Sequence, residues 1–409
     1  MNVEVINTGS ELLLGFVTNT HVGYMARALA PLGLTISRQT TVPDGPDIGE
    51  IFSEALSRSD IILITGGLGP TSDDITRDIV AGRLGRKLLR DEETIRKLDA
   101  FFLKRGLALA QMNYRQADYP EGARILDNPH GTAPGLHIEE AGKHIFLLPG
   151  PPRELHPMFD NHVLPALRRV CSGGDTFHCH ILRMTGIGES SVAKEIAPLL
   201  EKIPELQIGY CARIGEVDLR LISPSPETIA NAAQIARDTF QGLIFTEHGE
   251  TLEQAVIRLA GERSMTMATA ESCTGGMIAH RLTNVPGSST VFRGGIVSYA
   301  NEVKENILNV NADDLRTHGA VSEVVAVQMA ANARKLLEAD LAVSTTGIAG
   351  PGGGSPEKPV GLVYIALATP ECTRAWKCHY LLDRESFKRM VAQFALDRFR
   401  RQIARLPLD

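Results

Sequence analysis

The chain has 409 residues, more than one hydrophobic core usually serves, so two or three domains are expected. Hydrophobic residues make up 43% and charged residues 22%, and the formal net charge is −6, values that argue against a broad nucleic-acid surface and favour small-molecule chemistry. No apolar run is long enough to span a membrane, Met1 to Thr8 runs directly into strand-like sequence, and the 6 cysteines are scattered, so a cytoplasmic protein with reduced thiols is expected.

Val3 to Asn7, Leu34 to Val42 and Ile61 to Thr65 are rich in branched residues and read as strands, with amphipathic stretches at His21 to Ala30 and Ile48 to Ser57 between them. This is the pattern of a parallel sheet covered by helices. Thr8-Gly9-Ser10-Glu11 follows the first strand and Thr65-Gly66-Gly67-Leu68-Gly69-Pro70-Thr71-Ser72-Asp73-Asp74 follows the third, so both loops should open on one edge of the sheet, where strand ends form a ligand crevice. Gly9, Gly66, Gly67 and Thr71 are the expected anion contacts, and Glu11, Asp44, Asp73 and Asp74 could gather a divalent cation of the Mg or Co type. Helix capping by Ser72 and Asp73 is the plainer alternative. Ile145 to Leu148 reads as another strand, Pro149-Gly150-Pro151-Pro152 turns the chain into a helix, and a turn cluster at Cys171-Ser172-Gly173-Gly174-Asp175 closes the unit.

Thr176 to about His248 carries strand, helix, strand, strand, helix character with an acidic lean. His178, Cys179 and His180 read as strand residues rather than metal ligands, since alternate side chains point to opposite faces and a second ligand pair is missing.

The last segment opens with a helix, Leu252 to Gly261, and a strand, Met265 to Ala270. A helix begins near Gly276, Gly294 to Tyr299 reads as a strand, Val325 to Ala339 as a helix, and Leu341 to Thr346 and Gly361 to Ala368 as strands. Ala270-Glu271-Ser272-Cys273-Thr274-Gly275-Gly276 lies where strand passes into helix, and its free amides and small side chains suit an anion or a developing oxyanion. Ser272 is then a nucleophile or a binding hydroxyl, with simple helix capping as the alternative. A second small-residue turn, Pro286-Gly287-Ser288-Ser289, is followed by Tyr299, Asn301 and Lys304. A lysine beside a serine can act as its base when burial lowers its pKa; a solvated helix lysine is the bland reading. The third turn, Thr346-Gly347-Ile348-Ala349-Gly350-Pro351-Gly352-Gly353-Gly354-Ser355, again follows a strand and would let backbone approach a phosphate.

These turns, with Ser298 to Lys304, His318 to Glu323 and Thr346 to Gly361, resemble the C-terminal domain of the CinA (competence/damage-inducible protein A) family, which also occurs alone as a nicotinamide mononucleotide amidohydrolase. The resemblance implies hydrolysis of the carboxamide to nicotinic acid mononucleotide and ammonia, and since no His or carboxylate cluster with ligand spacing occurs in this domain, no obligatory metal or other cofactor is expected. It suggests Ser272 as catalytic hydroxyl, with Ser289 as the alternative nucleophile, and Lys304 as activating partner. Tyr299, Ser289 and Thr346 would position amide and ribose, Thr274, Gly275, Gly276, Gly347 and Gly350 would line the substrate, and Arg384 would hold the phosphate. Leu382 precedes Asp383-Arg384 where the family usually has glycine.

The N-terminal loops, with Asn113, Gln116, Pro120, Gly131 to Gly135 and Leu148 to Glu154, resemble the molybdopterin-binding fold of MogA and MoeA and the CinA N-terminal domain. The middle segment resembles that family's KH-type insert, though the G-x-x-G clamp and basic flanks of nucleic-acid binders are missing. The implied fold is two three-layer α/β domains, 1–170 and 251–409, joined by a small α+β (KH-like) segment, 176–248, and the resemblance implies a homodimer; from composition and charge, neither a membrane nor nucleic acid is an expected partner. For the N-terminal domain the resemblance implies either a metal-dependent ADP-ribose pyrophosphatase or a non-hydrolytic pterin- or nucleotide-binding module; a competence or DNA-damage adaptor is the rival for the whole chain.

Overall fold

The computed structural model describes residues 1–171 and 177–408, so most of the Cys171 to Asp175 turn cluster lies outside the described residues. The chain divides into two compact units, Met1–His178 and Cys179–Asp409.

In the first unit, Ile36–Val42, Val3–Thr8, Ile61–Thr65 and Lys143–Leu148 lie side by side as parallel strands. All five or six residues of Val3–Thr8 and Ile61–Thr65 are buried, as expected for strands covered on both faces. One face carries the helix His21–Leu29 and the turns from Pro152 to Val170; the other carries Asp47–Arg58 and Thr76–Arg83. The parallel sheet expected from the sequence is corrected in one respect. Gly135–Glu140 and Arg124–Leu126 extend it as antiparallel strands, because Ala141 and Gly142 (φ 49° and 79°) make a two-residue hairpin too short for a crossover.

The second unit holds two cores. The small segment pairs Gln207–Arg213, Glu216–Ser223, His178–Thr185 and Ile244–Thr246 in one sheet, with the helices Glu189–Leu200 and Pro226–Thr239 packed on it. His180 lies on the strand His178–Thr185, and its Nε2 meets Glu247 Oε2 at 2.5 Å, beside Arg237. The larger sheet runs Phe292–Val297, Met267–Glu271, Leu341–Gly347, Leu362–Ala368 and Thr373–His379; the first three are parallel and the last two antiparallel. Helices Leu252–Glu262, Met277–Thr283 and Arg384–Ala404 cover one face and Glu323–Leu336 the other, completing three layers.

The small segment and the larger sheet join through the final helix. Gln393 is buried and donates to Thr185 Oγ1 (3.3 Å) and Glu216 Oε1 (3.0 Å), while its own oxygen accepts from Arg281. Arg400 donates to the Gly242 carbonyl at 2.6 Å, and Asp397 pairs with Arg398, Arg400 and Arg401. All six cysteines are unpaired. No described helix is long and apolar enough to cross a membrane.

Candidate functional sites

In the second unit, parallel strands share polarity, so the turns that follow Met267–Glu271 and Leu341–Gly347 emerge at the same sheet edge. Ser272 N donates to Thr345 O (2.9 Å), and Thr274 Oγ1 meets Thr345 Oγ1 at 2.7 Å, which binds the first turn to the neighbouring strand. Capping is not what these hydroxyls do. The helix Met277–Thr283 starts at Gly276 without a side-chain cap, and the buried Glu271 carboxylate instead accepts from Ile278 N and Ala279 N. The amides of Thr274 and Gly276 are left without a backbone acceptor among the described residues.

Lys304 sits on the short helix Asn301–Asn306 and is only 1% exposed. Its Nζ donates to Ser272 Oγ (3.2 Å), Ser298 O (2.7 Å) and Tyr299 O (3.3 Å), so it is not the solvated helix lysine of the bland reading. Burial holds its pKa below the ordinary 10.5. Cys273, next to the serine, is no competing nucleophile: burial pushes its thiol up to about 12 and keeps it protonated.

Arg384 begins the final helix, with Asp383 accepting from Glu385 N and Ser386 N as its cap, so Leu382 does not disturb the helix start. The guanidinium donates to Gly350 O (2.8 Å) and Tyr299 Oη (2.8 Å), joining the third turn to the Tyr299–Lys304 stretch. Gly350 is required there, since at φ 74° an added Cβ would stand 2.6 Å from Val360 Cγ1. Sequence reading missed Lys388, one helical turn beyond Arg384, whose Nζ lies 3.7 Å from the point where a Cβ on Gly275 would stand. Its only sequence signal was its spacing from Arg384.

Two expectations are corrected. Ser289 is exposed and lies in the turn that precedes Phe292–Val297; Met267 N donates to Val291 O there, so Ser289 belongs to the opposite sheet edge from Ser272. A strand of five residues separates them by roughly 16 Å, so only two of the three small-residue turns converge within a chain. Thr346 is buried with its hydroxyl donated to Ala320 O (2.7 Å), so it braces the strand instead of facing a ligand; Gly347 is packed against Leu362 and Val363 in the same way.

In the first unit, a cleft of 370 Å³ is lined by Gly9, Glu11, Asp44, Gly66, Gly67, Asp73 and Asp74, so the loops do open together. Gln116, Thr132 and Glu154, not singled out as site residues from sequence, line it too. Thr71 does not; its amide and hydroxyl both turn to Asp74, which makes this a local turn. Helix capping is again absent, since Thr76–Arg83 starts at Ile75 with no side-chain cap. Gly66 has φ 96°, and a Cβ there would stand 2.5 Å from Thr8 O.

The Asp44 carboxyl is pushed up by burial and by the charges of Glu11, Asp73 and Asp74, and accepts from Ser10 N at 3.1 Å. Hard oxygen donors repelling one another suit a hard divalent cation. No three of these carboxylates bring their oxygens within 4.8 Å of one another among the described residues, so the ligand set is shared by the cleft but not drawn together.

Three family models match the chain: a probable molybdopterin binding domain over residues 4–169, the damage-inducible protein CinA KH domain over 180–243 and the CinA C-terminal domain over 249–403. A CinA-like protein of Akkermansia muciniphila is 43% identical over 399 residues, covering 97% of this chain and 96% of its own. A putative competence-damage inducible protein of Symbiobacterium thermophilum is 46% identical over 378 residues, covering 90% and 88%. Among solved structures, competence/damage inducible protein CihA from Agrobacterium tumefaciens is 41% identical, covering 36% of this chain and 89% of its own with a TM-score of 0.35.

Proposed function

The chain belongs to the CinA family, and on that premise we propose that its C-terminal domain hydrolyses nicotinamide mononucleotide to nicotinic acid mononucleotide and ammonia. The observation that supports this reading is the buried Lys304 amine 3.2 Å from Ser272 Oγ at a turn with unengaged amides. In the neutral form, Lys304 takes the Ser272 proton as Oγ attacks the carboxamide carbon. The amides of Thr274 and Gly276 are the donors on hand for the oxyanion. As the C–N bond breaks, Lys304 returns the proton to the departing nitrogen, releasing ammonia and leaving an acyl ester on Ser272. Water then attacks that ester, Lys304 accepting its proton and passing it back to Ser272 Oγ. Arg384 and Lys388 supply positive charge for the phosphate, and Tyr299 orients Arg384.

Ammonia release from the mononucleotide, followed in the full chain and in Ser272→Ala, tests the reading. Loss in the variant with binding retained is the expected result; undiminished release in the variant would overturn the role of Ser272, and no release from the unaltered full chain would leave the competence or damage adaptor reading suggested by the relatives' names.

For the N-terminal domain we propose metal-dependent hydrolysis of the diphosphate of ADP-ribose, supported by the carboxylate-lined cleft between glycine loops. Glu11, Asp44, Asp73 and Asp74 would hold the cation, which when bound supplies charge for the diphosphate and a more acidic water. The chain's own part is to present the amide of Gly67 to the phosphates, the Gly66 amide being donated to Leu148 O at 2.9 Å, and to bind the cation with its carboxylates. AMP release from ADP-ribose with Mg²⁺ or Co²⁺ is the expected result. Binding of a pterin or nucleotide without hydrolysis under either ion would establish the non-hydrolytic alternative.

A further inference from the structure

The hairpin Gly135–Glu140 and Lys143–Leu148 was built by its turn, and the turn fixes its register: Glu139 faces His144 directly and His137 faces Phe146. Side chains alternate across a strand, so His137, Glu139, His144 and Phe146 share one face, while Leu136, Ile138, Ile145 and Leu147 enter the core on the other or lie beside it. His137 is 7% exposed and its ring is stacked on Phe146 with centroids 4.2 Å apart, nearly parallel. That stacking fixes the imidazole plane. His137 Nε2 then stands 3.0 Å from His144 Nδ1. The Glu139 carboxylate completes a group of three whose ligand atoms all lie within 4.8 Å of one another, the one such group among the described residues.

We propose that His137, Glu139 and His144 form a binding site for a divalent transition-metal ion of the zinc type, separate from the carboxylate cleft. The donor set argues for this class, since two neutral imidazoles and one carboxylate suit zinc, cobalt or nickel and are too soft for magnesium or calcium. The spacing agrees as well. Two nitrogens bound tetrahedrally at the usual zinc distance lie about 3.3 Å apart, a few tenths of an ångström from the observed separation. Three protein ligands leave a fourth position for water or an anionic group. Arg124 and Arg169 carry positive charge near His137 and oppose a cation, whereas Glu139 offsets them, so neutralising Glu139 should weaken the site disproportionately. The location also separates the two metal chemistries: His144 lies at the start of the strand whose far end, Leu148, leads into the Pro149 and Gly150 wall of the carboxylate cleft.

The test is zinc titration of the chelator-stripped full chain by calorimetry, repeated in Glu139→Gln and His144→Gln, with helical and thermal signatures checked for each variant. One zinc ion per chain is expected to bind the wild type at this site, with affinity reduced on the order of 100-fold in His144→Gln and at least tenfold in Glu139→Gln. Substitution of Asp44 by Asn should leave that binding unchanged. Where a variant fails to fold, imidazole nitrogen resonances of the wild type decide: stoichiometric zinc should move two histidine rings, and their assignment to His137 and His144 supports the site. Zinc that fails to bind, binds with equal affinity in the folded variants, or moves other rings overturns it.

Discussion

Replacing Lys304 by Met removes the amine while keeping a long apolar stem in a site that is 1% exposed. A general base contributes roughly 10²- to 10⁴-fold, so ammonia release should fall by that factor, a loss of about 3 to 5 kcal/mol in transition-state stabilisation. Stability should respond differently. The variant withdraws a donor from Ser298 O and Tyr299 O, at about 1 to 3 kcal/mol for a carbonyl left unsatisfied, but it also removes an ammonium that burial disfavours. Lys304 is held below 10.5 in the folded chain, so between its folded value and 10.5 the unfolded chain binds more protons and wild-type stability rises with pH. The penalty is complete below the folded value and gone above 10.5, so Lys304→Met should compare best with wild type below that folded value and lose ground as pH rises through it toward 10.5. Wild-type activity should likewise rise with pH along a limb centred below 10.5, since the neutral amine is the base. Ammonia release and melting temperature measured across this range check both claims. A variant within tenfold of wild-type activity, or one that gains on wild type toward alkaline pH, would refute the assignment of Lys304 as a buried base.

Ser272→Ala should abolish turnover while Ser289→Ala retains most of it, as kcat for both will show, because only Ser272 shares an edge with Lys304. Arg384→Gln should raise KM for the mononucleotide by about tenfold or more and leave the phosphate-free riboside little affected, as steady-state kinetics on the two substrates will test. Asp44 is raised above 3.8, so its ionisation destabilises the folded chain at pH values above its folded pKa; Asp44→Asn should therefore melt higher in the absence of divalent ions yet lose metal-dependent AMP release. Gly66→Ala places a Cβ against Thr8 O at positive φ and should cost at least about 2 kcal/mol, whereas Gly82→Ala, on a helix with open space around it, should be neutral or stabilising in the same melting experiment.

The strands Val3–Thr8, Ile61–Thr65, Met267–Glu271 and Leu341–Gly347 were legible because each is a buried apolar run that ends in a small-residue turn. Thr373–His379 was not, since its exposed residues, Arg374, Lys377 and His379, break the strict alternation that marks a half-buried strand. The final helix was equally hidden: it buries Asp397, Arg398, Arg400 and Arg401, a cluster that reads as surface until the counter-charges are seen to meet. Ser272 and Lys304 were found through family resemblance, and their contact is a tertiary fact joining residues 32 positions apart. The misplacement of Ser289 has a simple cause. Turn composition marks a flexible corner but carries no sign of strand polarity, and polarity decides which sheet edge the corner occupies.

The helix Arg384–Ala404 has a further consequence for how this chain can vary. Its first residue touches Tyr299 and Gly350, and its middle residues Gln393 and Arg400 are bonded to the small segment. Each residue turns an α-helix by about 100°, so a single insertion or deletion between Glu385 and Ala392 could satisfy one end only by swinging the other off its partners. Point changes at its exposed positions, such as Glu385 and Arg389, are tolerable, but its length is a fixed gauge, and chains that share both attachments should show the same count of residues between them.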